Sequence, residues 1–271
     1  MNLTNLAEPM LYRLHLAATH QPSSPINYAF TDPAPQQVYG DMQPWAVAPL
    51  VAHLSDAPFL EILVLPIALR DDRHWRDGAA NWLAQAAETP PLLARADQIQ
   101  VAWCPGRVTI MSPPAQAAAA LDAVVDFAYF EYQLRGLEQE LAAAWPAVEM
   151  DSPLAYKISQ VDASRDLVIG ERMRQVLARR LRHARIEPHL SRPPVRFIPL
   201  LAELGITLRE VARCEERAAT ADGQIEVQEY IYEMASQRLG EYRHARQSFL
   251  LEAIIVGLLA VEVGLLFYLE I

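Results

Sequence analysis

Apolar and polar residues alternate first between Met10 and Ala18, where Met10, Tyr12, Leu14 and Leu16 fall on one side and Arg13 and His15 on the other. Period two is the signature of a half-buried strand. Gln21 to Pro44 is rich in proline, serine and glutamine and reads as loops with one short strand, and Trp45 to Leu54 as a short helix. Phe59 to Leu69 is apolar but for Glu61, a buried strand that Pro66 ends or places at an edge. Helical spacing returns in Trp75, Ala79, Trp82, Leu83 and Ala86. Two β-prone runs, Gln98–Trp103 and Arg107–Met111, flank Pro105-Gly106 and predict a hairpin.

After Ser112-Pro113, an N-cap followed by a first-turn proline, the strand pattern disappears. Helical stretches are expected over 113–145, 154–187, 198–218 and 224–269, with breaks at Pro146, Pro153, Pro188, Pro193-Pro194 and Asp222-Gly223. The fold class expected is α+β: a small mixed head over 1–112, a helical stalk over 113–248 and a membrane anchor over 249–269.

That anchor is the longest apolar run. Phe249 to Leu269 is interrupted only by Glu252 and Glu262, and a helix of that length spans roughly the 30 Å of a bilayer's hydrocarbon core. Arg238, Arg243, His244 and Arg246 precede it and only Glu270 and Ile271 follow. By the positive-inside rule this bias leaves the preceding chain in the cytoplasm, and the expected location is a bacterial inner membrane, single-pass. Within the span, Ala253, Gly257, Ala260 and Gly264 fall within about 60° of one another on one side of the helix. Small residues in such a seam allow close helix contact, so a homo-oligomer is expected. Glu262, roughly 140° from Gly257, faces a different neighbour. Below the span, Ile231, Met234, Leu239, Tyr242, Ala245 and Phe249 form an apolar stripe that serves either intrachain packing or a coiled coil.

Composition changes this picture little. The 271 residues carry a net charge of −10, which argues against a general nucleic-acid coat. Lys157 is the one lysine among 23 basic residues, which fits the alanine-rich bias of GC-rich bacterial coding. Cys104 and Cys214 are isolated and read as reduced thiols. Met1 to Met10 lacks the basic and apolar regions of a secretory signal.

The order of features resembles the "required for meiotic nuclear division" family of membrane-anchored proteins. The resemblance rests on Leu251-Glu252-Ala253-Ile254-Ile255-Val256-Gly257-Leu258-Leu259-Ala260-Val261-Glu262-Val263, a Leu-Glu start with a second glutamate ten residues later. The segment Arg182–Ser191, the break at Pro194, Phe197 and Pro199, and helices around Phe130–Glu140 are similar in order and length. The resemblance covers roughly the C-terminal half of the chain. It implies a single C-terminal membrane helix on a soluble domain without assigned chemistry. In mitochondria, members of that family are tethers associated with the translation machinery. No catalytic residue and no cofactor carry over.

Two polar constellations remain. Leu69 to Gly78 gathers Asp71, Asp72, His74 and Asp77 with Arg73 and Arg76. A histidine among carboxylates serves as a general base or metal ligand, or the cluster is the solvated, charged first turn of a helix. No second histidine or carboxylate group lies at metal-ligand spacing, so no metal is expected. Residues 172 to 196 hold eight arginines against the single acid Glu187. On a helical wheel Ile169, Met173, Val176, Leu177, Leu181 and Ala184 share an arc opposite Arg172, Arg174, Arg179, Arg182 and Arg185. This basic face is solvated and paired with the chain's excess acids, lies on anionic lipid headgroups or contacts RNA phosphates, as a ribosome tether would need. The function expected is a membrane-anchored scaffold whose soluble part binds a protein or ribonucleoprotein. A membrane-bound enzyme using Asp71, Asp72 and His74, and an oligomeric ion-conducting assembly, are the alternatives.

Overall fold

The computed structural model describes residues 8–17, 24, 26–45, 58–86, 90–159, 162–193 and 199–269, with the backbone alone for 163 and 263–269. The helix expected over Trp45–Leu54 lies outside the described residues beyond Trp45. The fold is α+β. Strands β1 (Met10–Ala17), β2 (Ile26–Phe30), β3 (Gln36–Pro44) and β4 (Leu60–Pro66) are followed by helix α1 (Arg73–Ala84) and strands β5 (Leu92–Ala96), β6 (Ile99–Cys104) and β7 (Arg107–Ser112). Helices α2 (Pro114–Asp151), α3 (Asp166–Ser191), α4 (Pro199–Val211) and α5 (Cys214–Leu269) complete the order. The described residues after Ser112 contain no strand.

All seven strands form one mixed sheet, ordered β2-β3-β1-β4-β7-β6-β5. Its single parallel pair is β4 with β7, in register Ile62 with Val108 and Val64 with Ile110. The expected hairpin is β6–β7, turning at Gly106 with φ +82°, a left-handed position glycine adopts without strain. The loop-like stretch after Gln21 contains two strands, where one was expected. Gly40 explains how β3 fits beside β1. A Cβ there would stand 2.2 Å from the Arg13 carbonyl oxygen and 2.7 Å from Leu14 Cδ2. The Ser24 hydroxyl accepts from the Gly40 amide at 2.9 Å and lies 2.6 Å from its carbonyl oxygen.

The sheet is covered on both faces, which is why β4 reads as an apolar run broken only by Glu61. On one face Leu11, Leu63, Leu65 and Cys104 pack with Ala79, Trp82 and Leu83 of α1. Asp72 caps α1 by accepting from the His74 amide at 2.9 Å. The other face meets α2: Trp103 stands edge-on to Phe127 at 5.3 Å, and Phe30 stacks on Tyr129 at 3.8 Å. Helix α4 lies against β5, whose buried Ala94 and Ala96 leave room for it.

The chain divides into two compact units. The first joins residues 1–138 to 182–221, the second 139–181 to 222–271. The first unit thus runs past residue 112, taking in parts of α2, α3 and α5 and all of α4. In the second unit, Ile225, Gln228, Tyr232, Ala235 and Leu239 of α5 form a buried row at steps of three and four residues, the spacing of one helix face.

Three expected breaks are absent. Pro146 lies inside α2 and Pro188 inside α3. Each removes a backbone hydrogen bond, and each is followed by a buried apolar residue, Val148 and Leu190, while Asp151, buried at the end of α2, is paired with Arg165. Asp222-Gly223 is interior to α5. The chain turns instead at Arg213, which has φ +53° and separates α4 from α5.

Candidate membrane segment and charged sites

Helix α5 has two regimes along its 56 residues. Ile225, Tyr232 and Leu239 are at most 2% exposed. From Phe249 onward every large apolar side chain that is described is exposed: Phe249 69%, Leu251 62%, Val256 65% and Leu258 65%. In water each such side chain forgoes about 1.5–3 kcal/mol of burial. Residues apolar all round on a helix belong in a protein core or a bilayer, and the apolar window here has no buried share. One helix is thus long and apolar enough to cross a membrane.

Ala253, Gly257 and Ala260 are all exposed on this segment, and a Cβ on Gly257 would meet no atom within 4 Å. Gly264 follows on the helix backbone. Glu252 and Glu262 are exposed as well. Of the basic residues before the span, Arg238 pairs with Glu241 at 3.0 Å and Arg243 with Asp166. The upstream stripe is divided. Leu239 is buried and Ile231, Met234 and Tyr242 half-buried within the chain, whereas Ala245 and Phe249 are exposed.

The arginines of α3 do not form one solvated face. Arg172, Arg174 and Arg179 belong to the second unit, Arg182 and Arg185 to the first. Arg179 donates to Gln228 Oε1 at 3.2 Å, and Arg180 holds Glu229 bidentately at 3.0 and 2.7 Å while also pairing with Asp222. Arg182 donates to Gln133 Oε1 at 2.9 Å and Arg185 to the Pro33 carbonyl at 2.7 Å. Arg174 is 75% exposed and pairs with Glu171, its neighbour one turn back, at 2.7 Å. Arg172 is half-buried, and its Nε has no hydrogen-bond partner among the described residues. The expected apolar arc is corrected too. Ile169, Val176, His183, Ile186 and Leu190 are buried, while Leu177 and Leu181 are 46% and 65% exposed. The acceptors for these arginines come from distant chain, so local periodicity carried no sign of them.

Sequence reasoning also missed the polar supports of the first unit. Asp126 of α2 and Arg209 of α4 form an ion pair at 2.8 Å with both side chains 4% exposed. Arg209 also donates to the carbonyls of His189 and Gly205, so the buried cation is well supplied with acceptors. Arg217 bridges Glu138 at 2.7 Å and Glu131 at 3.0 Å; its hydrogen bonds to Glu138 raise its pKa. The segment between β2 and β3 is held by Tyr129, whose hydroxyl donates to the Asp32 carbonyl at 3.1 Å, and by His189, which lies 3.5 Å from the Asp32 carboxylate and stacks on Phe130 at 4.1 Å. Burial pushes the Tyr129 phenol up to about 12. The sequence signal for this network was faint: acids at 126, 131 and 138 in an alanine- and leucine-rich helix that carries other acids as well.

Asp71, Asp72, His74 and Asp77 are all exposed. They form the charged start of α1 rather than converging in a cavity. No group of three or more His, Cys, Asp or Glu among the described residues is arranged to hold a metal ion. Cys104 and Cys214 are free and buried.

With this geometry in hand, comparison with known proteins adds nothing further: no family model matches the chain and no curated protein does.

Proposed function

We propose that this protein is a membrane-anchored scaffold, held in a bacterial inner membrane by α5 with its sheet-bearing unit in the cytoplasm, where it tethers a protein or ribonucleoprotein partner. The observation that carries the reading is the change of regime along α5. One continuous helix runs from a buried row ending at Leu239 to apolar residues whose described side chains, Phe249 to Val261, are all exposed. Packing fixes one end, and the bilayer takes the other. Arg238, Arg243 and Arg246 on the packed side favour a cytoplasmic soluble part. The resemblance to the "required for meiotic nuclear division" family supports both anchor and tether. The exposure of Asp71, Asp72 and His74 weighs against an enzyme built on them.

The test has two steps. Membranes are washed with carbonate, and intact and permeabilised spheroplasts are treated with protease. The protein should stay in the pellet, and its soluble part should be cut only after permeabilisation. Chemical crosslinking in native membranes, followed by mass spectrometry, should then recover one recurrent partner. Extraction by carbonate would sink the anchor, and a crosslink profile without any enriched protein would sink the tether.

A further inference from the structure

On the α1 side of the sheet, the helix leaves the outer strands partly uncovered. Leu65, Leu83, Leu93, Ala102 and Met111, with Ala80 on the helix, line a cleft of ≈ 710 Å³. Leu93 is 73% exposed at its edge. A cleft of this size and apolar character suits one small ligand. Its polar side chains are basic or amide, apart from the Thr109 hydroxyl. Arg76, Arg95 and Gln100 line it, and no Asp or Glu is among the described residues that do. With the Gln100 amide turned so that its oxygen faces them, Arg95 donates to it at 2.6 Å and Arg70 at 3.3 Å.

Two guanidinium groups therefore converge on one neutral acceptor. Among the described residues neither has a carboxylate partner, whereas Arg76 has Asp77 at 3.4 Å. Like charges held together this way attract an anion, and arginine pairs bind a planar carboxylate bidentately. The Asp71–Asp77 cluster supplied by α1 faces solvent instead.

We propose that this cleft binds a long-chain carboxylate, a fatty acid, with its chain along Leu65, Leu83, Leu93 and Met111 and its head between Arg70 and Arg95. The site is independent of the tether reading, since every residue in it belongs to the first compact unit.

The experiment is photolabelling of the full-length protein in its native membrane with diazirine-bearing palmitate, followed by mapping of the adducts by mass spectrometry. Adducts should concentrate in the segments carrying Leu83, Leu93 and Met111. Unlabelled palmitate should suppress them, and hexadecanol, which has the chain without the charge, should not. Arg70→Gln with Arg95→Gln should reduce labelling at these segments about tenfold, the effect of losing one charged hydrogen-bonded contact. Ala80→Trp, which fills the cleft from the exposed side of α1, should abolish labelling there while leaving both arginines in place. Equal protease resistance of the variants separates loss of binding from loss of fold. The proposal is overturned by labelling confined to α5, by equal competition from hexadecanol, or by labelling unchanged in folded Arg70→Gln/Arg95→Gln protein.

Discussion

Asp126 and Arg209 are the residues whose single replacement should cost the first unit most. Asp126→Ala strips the guanidinium of its carboxylate in a site where both partners are 4% exposed. Breaking a buried pair from one side costs about 3–5 kcal/mol, whereas replacing both partners by apolar residues is often near neutral. Chemical denaturation of the soluble part should show Asp126→Ala strongly destabilised and Asp126→Leu/Arg209→Met recovering most of the loss. If the double variant is as unstable as the single one, the pair acts through geometry the apolar side chains cannot copy. Cys214 sets a pH limit. Burial, with Glu131 beside it, pushes its thiol from the ordinary 9.0 up to about 11. The folded state keeps the proton that the unfolded chain releases above pH 9, so this contribution is whole below 9 and lost as pH rises toward about 11. Melting temperature should fall across that window, and Cys214→Ala should flatten that part of the profile. Gly40→Ala tests close approach: overpacking of this kind costs about 1–3 kcal/mol.

At the scale of elements, α5 and α3 show opposite relations between pattern and packing. The outer part of α5 does what its composition says. Removing residues 249–271 should move the protein from the membrane pellet to the soluble fraction with little change in its melting temperature, because the described side chains from 249 to 261 pack on nothing else. A large loss of stability would mean that the segment folds back onto the chain. Helix α3 departs from its wheel. Its wheel shows a basic face without naming the partners, and Arg179, Arg180, Arg182 and Arg185 each donate to acceptors more than forty residues away. Arg180→Gln should therefore destabilise the second unit, by about 1 kcal/mol given its partly exposed bidentate pair, before it affects any binding.

For the whole molecule, the open question is self-association. Gly257 faces empty space within the chain, so a larger side chain there does not disturb the protomer. Gly257→Ile with Gly264→Ile should leave insertion intact and weaken the crosslinked ladder in membranes, if the seam with Ala253 and Ala260 joins two copies. Glu262→Leu is expected to improve insertion, because a carboxylate near the midplane costs about 2.5–3.5 kcal/mol on insertion scales, and to reduce assembly. An unchanged ladder in the glycine variant would leave the seam without a role, and one in Glu262→Leu would leave the glutamate without one.

The sequence by itself determined those features whose causes are local or compositional. The α+β order, β1 by its alternation, β4 by its apolar run, the hairpin at Gly106, the solvated charges at the start of α1 and the span from Phe249 all follow from periods of two or 3.6 and from hydropathy. Tertiary structure decided whatever depended on a distant partner. Strand β3 needed Gly40 to fit beside Arg13, and α2 continues past Pro146 to bury Val148 and to pair Asp151 with Arg165. Asp126 waited for Arg209, and the α3 arginines for Gln133, Asp222, Gln228 and Glu229. The division into units followed the same logic, since residues 182–221 return to join the sheet that 1–138 begins. A periodic pattern reports which face is buried on average along one element, but it carries no record of which remote side chain supplies the contact.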